Sequence, residues 1–201
     1  MYYGYADIEQ IQQEKLQGRL SRKELARRKP ISFKAGSLLF RLTNCFAPGN
    51  ILEIGTAWGV STLYLHFGCK SARLACIEPD SAVAAMAATV IPYDERVSIH
   101  TGVPLSDALA RYLSEETNLD FICIHPLQNP EDYTWLLPRL IEHSGDRTVW
   151  FIQGIRSHRQ IADAWKSLVE NETVRVTMDL YDIGLAFNNP KLNKQDYLVA
   201  F

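Results

Sequence analysis

Between Asn50 and Ile77 the chain reads NILEIGTAWGVSTLYLHFGCKSARLACI, and this stretch decides the fold. Asn50 to Ile54 is a short apolar run, long enough for one strand and too short for a helix. Two glycines, Gly55 and Gly59, then punctuate the chain before a helical pattern from Val60 to Phe67. Arg73 to Ile77 is again strand-like, so the segment is a strand, a glycine turn, a helix and a second strand. Further on, the alternation continues. Ser81 to Val90 is an Ala-rich helix, Val97 to Ile99 a strand, Leu105 to Leu113 a helix and Asp120 to Ile124 a fourth strand. A helix capped by Asn129, with Pro130 at its first position, follows. Thr148 to Ile152 makes a fifth strand, and Ile161, Ala164, Trp165 and Leu168 mark another helix. Strands separated by helices imply a mostly parallel sheet in a doubly wound, Rossmann-like α/β fold. Val174 to Leu180 and Gly184 to Phe187, turning around Asp182, close it with an antiparallel hairpin.

Upstream, Leu38, Leu39, Leu42 and Phe46 recur at helical spacing until Pro48-Gly49. Residues 1–30 are different: polar, poorly periodic and expected to form a helical appendage to a domain over 31–201. Within them Ser21 and Glu24 have capping-box spacing, Gly18 suits a helix end and Pro30 stops the run. At 201 residues the chain can bury one substantial core. Its net charge of −2 gives no reason to expect nucleic acid or a charged membrane surface as partner. No secretory signal pattern or membrane-length apolar run is present. Cys45, Cys69, Cys76 and Cys123 show no C-x-x-C pair and read as free thiols, which suits a cytoplasmic protein.

In parallel sheets of this kind ligands bind at the carboxyl ends of the strands. A dinucleotide fingerprint would need G-x-G-x-x-G, but from Gly55 the next two positions are Ala57 and Val60, so a nicotinamide enzyme is disfavoured. The pattern present is E-x-G-x-x-x-G-x-S. Glu53 would repel a pyrophosphate and attract an ammonium group. Gly55 and Gly59 admit a ligand close to the backbone. Glu78 ends the second strand, where an acid can accept hydrogen bonds from ribose hydroxyls. A nucleoside carrying an amino-acid group, such as S-adenosylmethionine, meets all three conditions.

With these residues in view the chain resembles the class I S-adenosylmethionine-dependent methyltransferases, within them the small O-methyltransferases of the catechol and caffeoyl-CoA type. LEIGTAWGVSTLYL is similar to their first motif and ACIEPD to their acidic second motif. The resemblance covers roughly 33–187 and implies the sheet order 3-2-1-4-5-7-6; it also implies that the helices of residues 1–30 cover the acceptor site or form a homodimer contact. It implies cofactor contacts from Glu53, Gly55, Thr56, Ala57, Trp58, Gly59, Ser61 and Glu78, with Gly102 and Val103 beside the adenine. Trp58 is larger than most residues at its position, and would pack on the cofactor or plug the pocket.

The family's metal-dependent members hold a divalent cation with an Asp after the fourth strand and an Asp-Asn pair after the fifth. Here those positions are His125, Gln153 and Gly154, a poor set for magnesium, so no metal is expected. Without one, His125 is the candidate general base for a hydroxyl acceptor. The expected activity is metal-independent methyl transfer to a small molecule. The alternative is a non-catalytic relative, a binding or interaction protein that keeps the fold. Trp135, Trp150 and Trp165 read as core, His66, His100 and His143 as structural, and Arg156 and His158 as a solvated loop.

Overall fold

The structure is a computed structural model that describes residues 31–116 and 118–201. The expected N-terminal helices, with Gly18, Ser21, Glu24 and Pro30, lie outside the described residues. Helices α1 (Phe33–Phe46), α2 (Val60–Gly68), α3 (Ser81–Val90), α4 (Leu105–Glu115), α5 (Tyr133–Glu142) and α6 (Arg159–Glu170) are joined by eight strands. These are β1 (Asn50–Ile54), β2 (Arg73–Ile77), β3 (Val97–His100), β4 (Leu119–Ile124), β5 (Ser144–Gln153), β6 (Val176–Asp179), β7 (Ile183–Phe187) and β8 (Gln195–Leu198). The sheet order is β3-β2-β1-β4-β5-β7-β6-β8. This is the expected mixed α/β sheet, with the β6–β7 hairpin antiparallel. It carries one strand more than expected: β8, parallel to β6.

The chain forms two compact units, one of residues 31–49 and 55–108, the other of 50–54 and 109–201. In the first, α1 starts on Ser32, whose hydroxyl accepts from the Ala35 N–H. Its buried face is Ala35, Gly36, Leu39, Phe40 and Thr43. It shares only Leu39 with the stripe read from Leu38, Leu39, Leu42 and Phe46; Leu38 and Leu42 are half-buried and Phe46 is exposed. The reason is close packing against α2 through a glycine from each helix. A Cβ on Gly36 would lie 2.2 Å from the Tyr64 ring, and one on Gly68 would lie 2.0 Å from Thr43 Oγ1 and 2.9 Å from the Phe40 carbonyl oxygen. Gly68→Ala is therefore expected to cost about 1–3 kcal/mol, because an added methyl in a filled interior forces its neighbours aside. Gly145, with nothing within 4 Å of its Cβ position, is the control. Urea unfolding of the two alanine variants checks this, and equal midpoints would refute it.

In the second unit β1 and β4 run parallel, with Glu53 opposite Cys123 and Ile54 opposite Ile124. β5 continues the parallel set and meets β7 antiparallel. Trp150 is fully buried and donates its indole N–H to Asn188 at 3.0 Å. Ile161, Ala164, Trp165 and Leu168 are the buried face of α6, as their spacing predicts. Trp165 occupies the space left by Gly184, where a Cβ would come 2.7 Å from its ring. Trp135 is only half-buried and bonds to Asp132, so its assignment to the core is corrected. Asn129 and Pro130 open a short 3₁₀ turn (Pro130–Asp132) ahead of α5, without the expected side-chain cap.

Candidate functional site

The glycine turn after β1 lies in the first unit and is shaped by its backbone. Gly55 and Gly59 have φ of 83° and 78°, and Ala57 between them has 47°. An L side chain is strained in that region, so Gly55 and Gly59 are required by conformation, and Gly59 by space as well, its Cβ position lying 3.1 Å from the Ala87 carbonyl oxygen. The turn is anchored at three points. The Gly55 N–H donates to Ile77 O at 2.9 Å, the Gly59 N–H to Thr56 O at 2.9 Å, and the Ala57 N–H to Glu78 Oε2 at 3.1 Å. The other oxygen of Glu78 accepts from the Asp80 N–H at 3.2 Å.

Glu78 is 1% exposed, and Thr56, Trp58 and Ser61 are also buried. Gly55, Ala57 and Val103 are half-exposed and Gly102 is exposed. The surface open to a ligand at this turn is thus largely main chain. Gly102, with φ of 76°, leaves the turn after β3 clear, the nearest atom to its Cβ position being Ser81 Oγ at 3.5 Å. Helix α2 starts on Gly59 with no side chain capping it, an arrangement that leaves main-chain N–H groups to be satisfied at a helix start.

Glu53 and His125 belong to the second unit and meet each other. Glu53 Oε1 lies 3.1 Å from His125 Nε2, with the two residues 0% and 6% exposed. Cys123 Sγ is 3.3 Å from the same nitrogen. On the other side of the ring, Nδ1 is 3.1 Å from Gln153 Oε1. The Tyr133 hydroxyl donates to the His125 carbonyl at 3.1 Å and holds that backbone in place. The strand register explains the meeting: Glu53 faces Cys123 across β1 and β4, and His125 is two residues further on, on the same side.

Charge follows geometry here. Burial pulls the imidazole toward its neutral form, but the contacts with Cys123 and Glu53 outweigh it, and proton affinity ends well above the ordinary value. Burial pushes the Cys123 thiol up by more than the neighbouring His125 pulls it down, so it stays protonated. A thiol has no charge to offer, which leaves the Glu53 carboxylate as the group that holds the proton on the ring. Neither ring nitrogen faces outward for an acceptor hydroxyl. Both ring nitrogens of His125, the expected general base, are thus engaged by protein groups, and Glu53 has His125 as its partner inside the protein.

The three positions that would carry magnesium do not fit that ion. His125 and Gln153 are spent on each other, and Gly154, at φ of 77°, has no donor side chain. Arg156, expected in a solvated loop, is clamped to Asp179 at 2.5 Å and stacks on Tyr181 at 5.0 Å. His158 opens α6 without capping it through its side chain. His66 faces Asp94, His100 contacts Ser98 and His143 contacts the Arg139 carbonyl, consistent with structural roles. Cys123, read only as a free thiol, and Gln153, read only as an altered metal position, are the residues whose contact with His125 the sequence did not reveal. The available signal was Glu53 itself, an acid inside an apolar strand that must find a partner.

No protein-family model matches the chain, and no curated protein matches it. Solved structures do. An O-methyltransferase from Bacillus cereus, in complex with SAH, is 21% identical over 90% of each chain, with a TM-score of 0.68. The chain has the fold of this enzyme. TomG from Streptomyces achromogenes, an O-methyltransferase of tomaymycin synthesis in complex with SAM, is 18% identical over 94% of this chain and 90% of its own, with a TM-score of 0.64. The SAH-bound methyltransferase PaMTH1 from Podospora anserina is 14% identical over 94% and 88%, with a TM-score of 0.71. The expected sheet order, with the hairpin at its end, is thus that of a methyltransferase fold. Among the described residues no helix is long and apolar enough to cross a membrane.

Proposed function

We propose that this chain is a methyltransferase that takes S-adenosylmethionine and methylates a small-molecule acceptor without magnesium. The observation that carries the reading is the Glu78 clamp: a buried carboxylate just after β2 that holds the glycine turn through the Ala57 N–H and braces the chain at Asp80. A carboxylate at that strand end suits ribose hydroxyls as hydrogen-bond donors. Gly55, Thr56, Ala57, Trp58, Gly59 and Ser61 would frame the cofactor, and Gly102 and Val103 would flank the adenine. The relatives in fold that hold SAM or SAH support the cofactor. The bound cofactor supplies an electrophilic methyl on sulfur. The protein's part is then to bind, orient and exclude water.

With His125 committed to Glu53, Cys123 and Gln153, the acceptor that suits this protein is one already ionised near neutral pH, such as an acidic phenol. Such an acceptor would arrive as its anion, and no protein base would be needed to take its proton. A cytoplasmic setting fits the four free cysteines.

The same inward pairing of Glu53 and His125 favours a second reading, a binding protein that holds the nucleoside and performs no transfer. Calorimetric titration with S-adenosylhomocysteine, with magnesium withheld and then added, separates the readings when followed by a screen of acidic phenols. Micromolar binding without magnesium, and methyl ether formed by the same protein, is the expected result. Binding without turnover favours the second reading. No binding in either condition overturns both, and turnover only with magnesium overturns the metal-free reading.

A further inference from the structure

The cluster of Glu53, Cys123 and His125 has a feature that a proton on His125 does not account for. One ring nitrogen, Nε2, is the common neighbour of both a carboxylate oxygen, at 3.1 Å, and a sulfur, at 3.3 Å. A single N–H would have to serve two acceptors at once. All three donor atoms lie within 4.8 Å of one another, and all three residues are buried. The opposite ring nitrogen is held by Gln153. A metal-bound histidine shows that same arrangement, with one nitrogen on the ion and the other fixed by a hydrogen bond that sets tautomer and orientation.

We infer that Glu53 Oε1, Cys123 Sγ and His125 Nε2 form a binding site for a divalent zinc-like ion. Zinc takes oxygen, sulfur and nitrogen donors at about 2.0–2.3 Å in a tetrahedron. Ligand atoms in such a tetrahedron stand roughly 3.4–3.6 Å apart. The two contacts here are a few tenths of an ångström shorter, so the ion needs only a small outward shift. Charge balances as well: the metal replaces two protons, that of the Cys123 thiol and that on His125 Nε2, and one carboxylate plus one thiolate neutralise a 2+ ion in the interior. The donor set selects against magnesium and calcium, which take oxygen ligands, and for borderline ions that accept sulfur and imidazole. The fourth position is left to water or to a donor atom of a bound molecule. This site differs from the magnesium positions in using Glu53 and Cys123 and in leaving Gln153 outside the coordination sphere. It would tie the carboxyl ends of β1 and β4 together.

The test uses the full chain and does not depend on methyl transfer. Protein purified without chelator is assayed for metals by mass spectrometry, then chelated and titrated with cobalt as a spectroscopic substitute. About one zinc per chain is expected. Cobalt should produce a thiolate charge-transfer band in the near ultraviolet, with the strong visible bands of a tetrahedral ion. Cys123→Ala should abolish the ultraviolet band, whereas Cys45→Ala and Cys69→Ala should retain it. If Cys123→Ala fails to fold, the wild type still decides, since chelation should lower its melting temperature and zinc should restore it. Absence of the charge-transfer band from folded wild-type protein, or its survival in folded Cys123→Ala, overturns the assignment and leaves the cluster as a proton-held pair.

Discussion

Glu53→Ala is expected to lower folding stability by about 3–5 kcal/mol, the cost of leaving one member of a buried charge pair without its partner. Glu53 is wholly buried on β1, opposite Cys123 of β4, so water cannot easily replace the lost carboxylate. The imidazolium would have to give up its proton or remain buried uncompensated. Either route is expensive in an interior of low dielectric. Losing a metal ligand would act in the same direction. The pair itself need not stabilise relative to an apolar core. Glu53→Leu combined with His125→Leu should therefore recover part of the loss, and a double-mutant cycle in urea isolates the coupling. A cost below about 1 kcal/mol for Glu53→Ala would show that the contact is incidental.

Much of this fold was legible because its strands are short, apolar and sharply bounded. β1 and β2 end where read, at glycine and at an acid, and α3 begins on Asp80, which caps it through two N–H groups. The buried stripe of α1 was not legible in the same way. Its contact surface is built from Ala35, Gly36 and Thr43, small residues that carry little hydrophobic signal but let α2 come close. β8 gave no signal at all, since Gln195, Asp196, Tyr197 and Leu198 are every one exposed. It is a strand because β6 offers a free edge with hydrogen bonds to make, and such pairing is tertiary.

The candidate site divides along the same line. Gly55, Gly59 and Glu78 could be read because their jobs are local: a positive φ, a turn, a strand-end carboxylate a short step along the chain. The partnership of Glu53 with His125 spans 72 residues and depends on the parallel register of β1 with β4. Residue types alone do not reveal register. A buried acid and a strand-end histidine were both visible, but only the sheet brings them to 3.1 Å.

Glu78→Ala is expected to weaken S-adenosylhomocysteine binding by about 100-fold. A hydrogen bond to a charged group is worth about 1.5–3 kcal/mol. Losing two that reach the ribose therefore removes roughly 3 kcal/mol or more, and each 1.4 kcal/mol is tenfold in affinity. The substitution also strips partners from the Ala57 and Asp80 N–H groups, so part of the loss could come from a slackened glycine turn. The two causes separate with a second ligand, the analogue whose ribose hydroxyls are tied up as an acetal. If Glu78 acts on the ribose, the acetal should bind wild type about as weakly as S-adenosylhomocysteine binds the variant, and should be indifferent to the substitution. If Glu78 acts only by bracing the turn, both ligands should weaken in parallel. Unchanged affinity for S-adenosylhomocysteine in Glu78→Ala would remove the clamp as the basis of cofactor recognition, and with it the strongest structural support for methyl transfer.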